Sequence, residues 1–252
     1  MLIVVSPAKT LDYQKPYPFP SNELPRWMNQ SETIVKKMRG FSAKKLMDLM
    51  DISKDLAELN VDRFQDWRVQ PNSESVRPAI FAFAGEVYSG FDAHSLNQDV
   101  WERAQKQLRL LSGLHGALRP QDLIQPYRLE MGTQVKIGRK KNLVEFWKPT
   151  VTAALQSEMG DGILVNLASA EYARVIDLKT IKNPVVECQF MEFSNGKYKP
   201  VQFFLKKARG LMARYLLDIE AKSIDDIRGF DREGYRWSEA ESSSNKLVFL
   251  RG

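Results

Sequence analysis

Residues 109–132 read RLLSGLHGALRPQDLIQPYRLEMG, and the interpretation of the chain turns on them. Arg109, Arg119, Arg128, Asp122 and Glu130 lie among leucines, three glycines and two prolines. A solvated loop has no use for so many apolar residues, and a plain core segment has none for so many charges. Charges drawn into a core cost several kcal/mol each unless paired or given a ligand. The stretch therefore reads either as a polar pocket cut into a core or as a buried structural ion-pair network.

Around it the sequence predicts a mixed α/β chain. Leu2–Val5 and residues 162–167 (GILVNL) are short, continuous apolar runs of buried-strand type. Residues 78–83 (PAIFAF) read as a third such strand. Residues 96–111 have helical spacing, which would deliver Arg109 into the central stretch at a helix end. Residues 142–156 predict a further helix. Asn195-Gly196 is a tight-turn signal, predicting a hairpin between residues 184–193 and 197–205. A helix then carries Lys206, Lys207, Arg209 and Arg214, with one of Lys207 and Arg209 inward and the other outward. Ser42, Ser53, Ser169 and Ser223 are candidate helix caps. Residues 42–67 would give a helix to Met50, a second to Asn60 and a third to Trp67. With no repeat, linker or composition break, residues 1–252 form one domain: a mixed sheet with helical insertions.

Composition narrows the chemistry. At 252 residues, 43% hydrophobic and 27% charged, the chain is of ordinary globular type. A lone Cys188 cannot form an internal disulfide, which fits a reducing cytoplasm. The N-terminal apolar run is too short for a secretory signal, and no segment approaches the ~18 apolar residues of a membrane span. His94 and His115 are not spaced as metal ligands, so neither a metal site nor a cofactor is implied. A net charge of +6 leans towards an anionic partner.

Polar groups follow each predicted strand, where α/β proteins place binding residues. Ser6 and Lys9 come after the first strand, and Ser169 and Glu171 after residues 162–167. Lys9, Glu130 and Glu171 are the candidate catalytic residues, since a carboxylate beside cations suits acid–base work on an anionic substrate. Arg109, Arg128 and Lys207 could converge with them. Lys9, Arg109, Arg119, Arg128, Lys206, Lys207, Arg209 and Arg214 are the candidate anion-binding set.

Several strings in order carry a resemblance: VSPAKTLD at 5–12, LSGLHGALRPQDLIQPYRLEMG at 111–132, NLASAEY at 166–172, KKARGLMARY at 206–215, then Gly234-Tyr235, the 242–245 SSSN and Leu247-Val248-Phe249. Together they resemble the YaaA family of peroxide-stress proteins over essentially the whole chain. The resemblance implies a family-specific mixed α/β fold, a helix-hairpin-helix within residues 42–67 and a basic cleft. It further implies binding to double-stranded DNA through the backbone, without base readout, and a cytoplasmic role limiting free iron and DNA damage under hydrogen peroxide. Asp51 and Ser53 stand where that motif usually has glycines. Ala84 stands where the family tends to have lysine, and His115 where it tends to have tyrosine. The alternative is an enzyme acting on a phosphorylated or nucleotide-like small molecule in the polar pocket. Neither reading fixes an oligomeric state.

Overall fold

The central strands are apolar on both faces and the sheet is covered on both, as that pattern requires. The computed structural model describes residues 1–252. Its strands are β1 (Leu2–Val5), β2 (Thr10–Leu11), β3 (Arg77–Pro78), β4 (Phe83–Ala84), β5 (Leu108–Ser112) and β6 (Gly116–Leu118). They continue with β7 (Leu123–Ile124), β8 (Leu164–Leu167), β9 (Val185–Ser194), β10 (Lys197–Lys199), β11 (Arg236–Ser243) and β12 (Lys246–Arg251). The helices begin with α1 (Met28–Arg39), α2 (Ala43–Met50), α3 (Lys54–Asp66), α4 (Ala79–Ala82) and α5 (Glu86–Phe91). They end with α6 (Gln98–Gln107), α7 (Leu143–Met159), α8 (Ala170–Ala173), α9 (Gln202–Asp218) and α10 (Ile224–Arg228).

Eight strands make one mixed sheet, ordered β11-β12-β9-β8-β1-β5-β6, with β10 hydrogen-bonded to β9. The five strands β5-β1-β8-β9-β12 are mutually parallel. In chain order they run second, first, third, fourth, fifth. The chain leaves β1, returns on one side as β5, and then crosses to the other side as β8. That reversal is a topological switch point, the place where open α/β sheets gather ligands beyond the carboxyl ends of their strands.

Val5 and Leu108 share a face with Val87 and Phe91 of α5 and with Gly210 and Ala213 of α9. On the other face Arg109 reaches Glu158 of α7. The α5–α9 crossing is close because both helices present glycine. A Cβ on Gly90 would lie 2.2 Å from the Lys207 carbonyl oxygen, and one on Gly210 1.9 Å from that of Val87. A side chain at either position would push α9 off the sheet.

The α2–α3 hairpin is capped at both starts: Ser42 Oγ accepts from the Lys45 amide and Ser53 Oγ from Leu56. Asp51 closes α2 in the left-handed region at φ 50°, which a short polar side chain tolerates better than most. The hairpin is fixed to the central stretch by a reciprocal pair. Gln125 Oε1 accepts from the Arg68 amide and Gln125 Nε2 donates to the Arg68 carbonyl, both at 2.8 Å.

Several local expectations are corrected. Residues 78–83 are not a strand; α4 turns there between two-residue bridges. Residues 200–205 leave the hairpin and open α9, so β10 is only three residues long. Both segments are short apolar runs that periodicity alone does not assign. Helix α6 stops at Gln107 and Arg109 lies on β5. Lys54–Asp66 is a single helix rather than two.

Candidate functional site

Ser6 directly follows β1 and Ser169 follows β8, so the switch point brings together two hydroxyls far apart in sequence. The Ser169 amide donates to Ser6 Oγ at 2.8 Å, and Ser6 Oγ donates to Ser169 Oγ at 3.3 Å. Ser169 stands at the start of α8, yet its side chain makes no cap bond. It is committed to Ser6 instead. The Tyr88 hydroxyl donates to the Ser6 carbonyl at 3.2 Å, fixing the loop from below.

The far half of the central stretch passes over this point. Glu171 Oε1 accepts from the Gly132 amide at 2.8 Å, and a Cβ at Gly132 would meet that oxygen at 2.9 Å. A side chain there would push the carboxylate aside. Glu130 bridges two cations, with Lys9 Nζ at 2.9 Å and Arg128 at 3.4 Å. Arg128 Nε is buried and has no partner. Both carboxylates bear on Tyr172, whose phenol burial first of all pushes well above its ordinary range. Tyr172 therefore stays a neutral donor.

Beside this cluster opens a cleft of about 530 Å³ between the chain after β1 and helix α3. Thr10 to Gln14 form one wall, Leu59 and Arg63 the other, with Ala84 and Pro126 between. Arg63 has no carboxylate within ion-pair distance. Burial holds its guanidinium below the usual arginine range, and the nearby charge of Arg128 acts in the same direction, against Tyr13. Arg63 thus lines the cleft without a carboxylate partner, and Arg128, behind the cleft lining with Glu130 against it, adds a second positive charge nearby. Asp12, also lining the cleft, is already held by the amides of Gln14 and Lys15 at 2.8 and 3.1 Å, which lower its carboxyl below the ordinary range.

Of the residues singled out by sequence, Ser6, Lys9, Arg128, Glu130 and Glu171 come together. Arg109 does not join them. Its side chain is 8% exposed and donates to Glu158 at 2.7 Å and to the carbonyls of Gln105 and Leu108. Arg119 is likewise engaged, with Asp122 at 2.8 Å and Glu23 at 3.4 Å. Burial pushes Asp122 up, to about 6, so it is ionised at neutral pH opposite Arg119. Arg109 and Arg119 line a separate crevice of about 10 Å³ with Arg26 and Glu158.

On α9, Lys207 pairs with Glu233 at 2.5 Å and Arg214 with Asp218 at 2.8 Å. Lys206 is exposed, whereas Arg209 is largely covered, its Nε buried and unpartnered above Cys188. Ala84, where a lysine was the family expectation, sits in the cleft wall. His115 is fully buried instead. Ser31 Oγ gives its hydrogen to the Trp27 carbonyl, so the 2.9 Å contact with His115 Nδ1 is donated by the ring. His115 Nε2 is then an acceptor without a donor, 6.5 Å ring to ring from Trp67, whose Nε1 is a donor without an acceptor.

Arg63 and Tyr13 were not legible as site residues. A cation on an amphipathic helix carries no mark of what faces it. No three His, Cys, Asp or Glu side chains converge as a metal-holding group, and no helix is long and apolar enough to cross a membrane.

The family described as peroxide stress protein YaaA matches residues 1–241. A UPF0246 protein of Flavobacterium johnsoniae is 46% identical over 252 residues, covering the whole of both chains. UPF0246 proteins of Hahella chejuensis and Idiomarina loihiensis are 46% and 47% identical over 254 residues, covering all of this chain and 99% and 98% of theirs. The chain therefore belongs to the YaaA family of peroxide stress proteins.

Proposed function

We propose that the chain binds duplex DNA through its phosphates, in the cleft between the α2–α3 hairpin and the switch point of the sheet. Membership of a peroxide stress family supplies the setting of peroxide stress, and in this reading the bound protein protects DNA and limits free iron there. The observation that carries the reading is Arg63, which lines an open cleft with no carboxylate in ion-pair distance and with the positive charge of Arg128 nearby. A phosphate at Arg63 would answer its charge and relieve the repulsion from Arg128. The groups on offer are cations and phenols rather than a helix directed at base edges, so binding follows duplex shape and not sequence. The effect on iron is indirect in this reading, downstream of binding.

Anisotropy with a labelled duplex of random sequence tests it. Replacing Arg63 and Arg128 together by alanine should weaken every duplex alike, whereas retained affinity in folded protein would end this assignment.

A second reading has its own support. Ser6, Ser169, Glu130 and Glu171 meet at the carboxyl ends of β1 and β8, where α/β enzymes hold small anions. Inorganic phosphate or a nucleoside monophosphate would then raise the melting temperature, and Ser6→Ala with Ser169→Ala would abolish the rise.

A further inference from the structure

The hairpin β9–β10 and the start of α9 carry four exposed rings. Phe193, Tyr198, Phe203 and Phe204 are 52%, 41%, 54% and 38% exposed. Phe193 and Tyr198 lie 5.3 Å apart ring to ring, and Phe203 and Phe204 5.4 Å. Arg251 and Gly252 join the two pairs. The Arg251 guanidinium sits 4.4 Å from the Phe204 ring centre, and the Tyr198 hydroxyl donates to the Gly252 carbonyl at 3.1 Å.

The patch is cationic as well as aromatic. Lys197 and Lys199 flank Tyr198 on β10, at the hairpin edge and on the face opposite the rings, Lys206 stands one turn beyond Phe203 on α9, and none of the three is in an ion pair. The neighbouring acids are occupied: Glu192 takes Arg251 at 2.7 Å, and Glu233 takes Lys207. A second copy docking here would set lysine against lysine. An apolar partner would leave the three ammonium groups unanswered. A single nucleic-acid strand supplies phosphates for the lysines and unstacked base faces for the rings, whereas duplex bases are already stacked on each other.

We propose that this surface is a stacking platform for single-stranded nucleic acid, separate from the duplex cleft. It rests on different residues from that cleft, so the two stand or fall apart.

Anisotropy with labelled twelve-residue oligothymidylate, and with an abasic strand of the same length, tests it on the full chain. The oligothymidylate should bind more tightly than the abasic strand. Phe203→Ala with Phe204→Ala should weaken it by roughly 5-fold or more, the range for loss of a stacked base. Phe193→Ala with Tyr198→Ala should do the same from the hairpin side, and provides the reading if the first pair fails to fold. Arg63→Ala should leave oligothymidylate binding unchanged. Equal binding of both strands, or unaltered affinity in folded ring variants, overturns the proposal. So does sedimentation showing a dimer that the ring substitutions dissolve.

Discussion

The two halves of residues 109–132 both set charges among apolar residues and meet opposite fates. In the first half every guanidinium is answered: Arg109 by Glu158 and two carbonyls, Arg119 by Asp122 and Glu23. In the second, Arg128 holds one long contact to a carboxylate it shares with Lys9, and its Nε is orphaned. The first half looks into the body of the protein beneath α7, the second over the switch point. Mixed charge in an apolar segment does not itself mark a site. What marks it is the mismatch between donors and acceptors left after folding.

The largest effect should come from breaking the satisfied half. Glu158→Gln strands Arg109, and also Arg26, which pairs with the same carboxylate at 2.7 Å. We expect a loss of about 3–5 kcal/mol in urea unfolding, the range for a buried pair losing one partner. A change under about 1 kcal/mol would mean the first half is no more structural than the second.

Acid should act through the buried face of the same stretch. Burial lowers His115 to about 3 from an ordinary 6.5. The unfolded histidine takes up a proton below pH 6.5 while the folded one stays neutral to about pH 3. Stability therefore falls as pH drops through that window, by up to about 1.4 kcal/mol per pH unit from this group. Asp122 runs the other way, since its folded carboxyl keeps a proton up to about pH 6 and the unfolded one releases it near 3.8. His115→Phe retains Asp122, so the difference between the two proteins isolates the histidine. Urea midpoints at pH 7, 5 and 4 should show the acid loss shrinking in the variant; parallel loss in both would remove His115 as its source.

A smaller change is expected in the open half. Glu130 is 19% exposed, and Lys9, which it pairs with, is 62% exposed. Glu130→Gln should shift stability by about 1 kcal/mol or less, as partly exposed pairs do. It should also tighten duplex binding, because two cations lose their internal competitor. Weaker binding at unchanged stability would instead assign Glu130 a direct role with ligand, as the second reading has it.

Much of this was legible in the sequence, for reasons that can be named. Leu2–Val5 is rich in β-branched residues and residues 162–167 open on glycine, so both read as buried strands, and their exits carry Ser6, Lys9, Ser169 and Glu171. Those positions are fixed by chain direction, so the candidate residues could be named before the sheet order was known. Four-residue apolar runs such as Ala79–Ala82 were not legible, because neighbours decide between turn and strand. The commitment of Ser169 to Ser6 depends on pairing across 163 residues, and no local pattern records it. Arg63 was missed for the same reason: its significance lies in Arg128 and Tyr13, brought to it by the Gln125–Arg68 clasp.

The cleft itself is most directly tested by salt. Duplex affinity should fall linearly with salt on logarithmic axes, each phosphate contact contributing about 0.9 to the slope. Measured side by side from low to physiological salt, Arg63→Ala should be shallower than the unaltered chain by about that amount, with all duplex sequences weakened alike. An identical slope and affinity in a folded Arg63→Ala protein would place the duplex elsewhere and contradict the account.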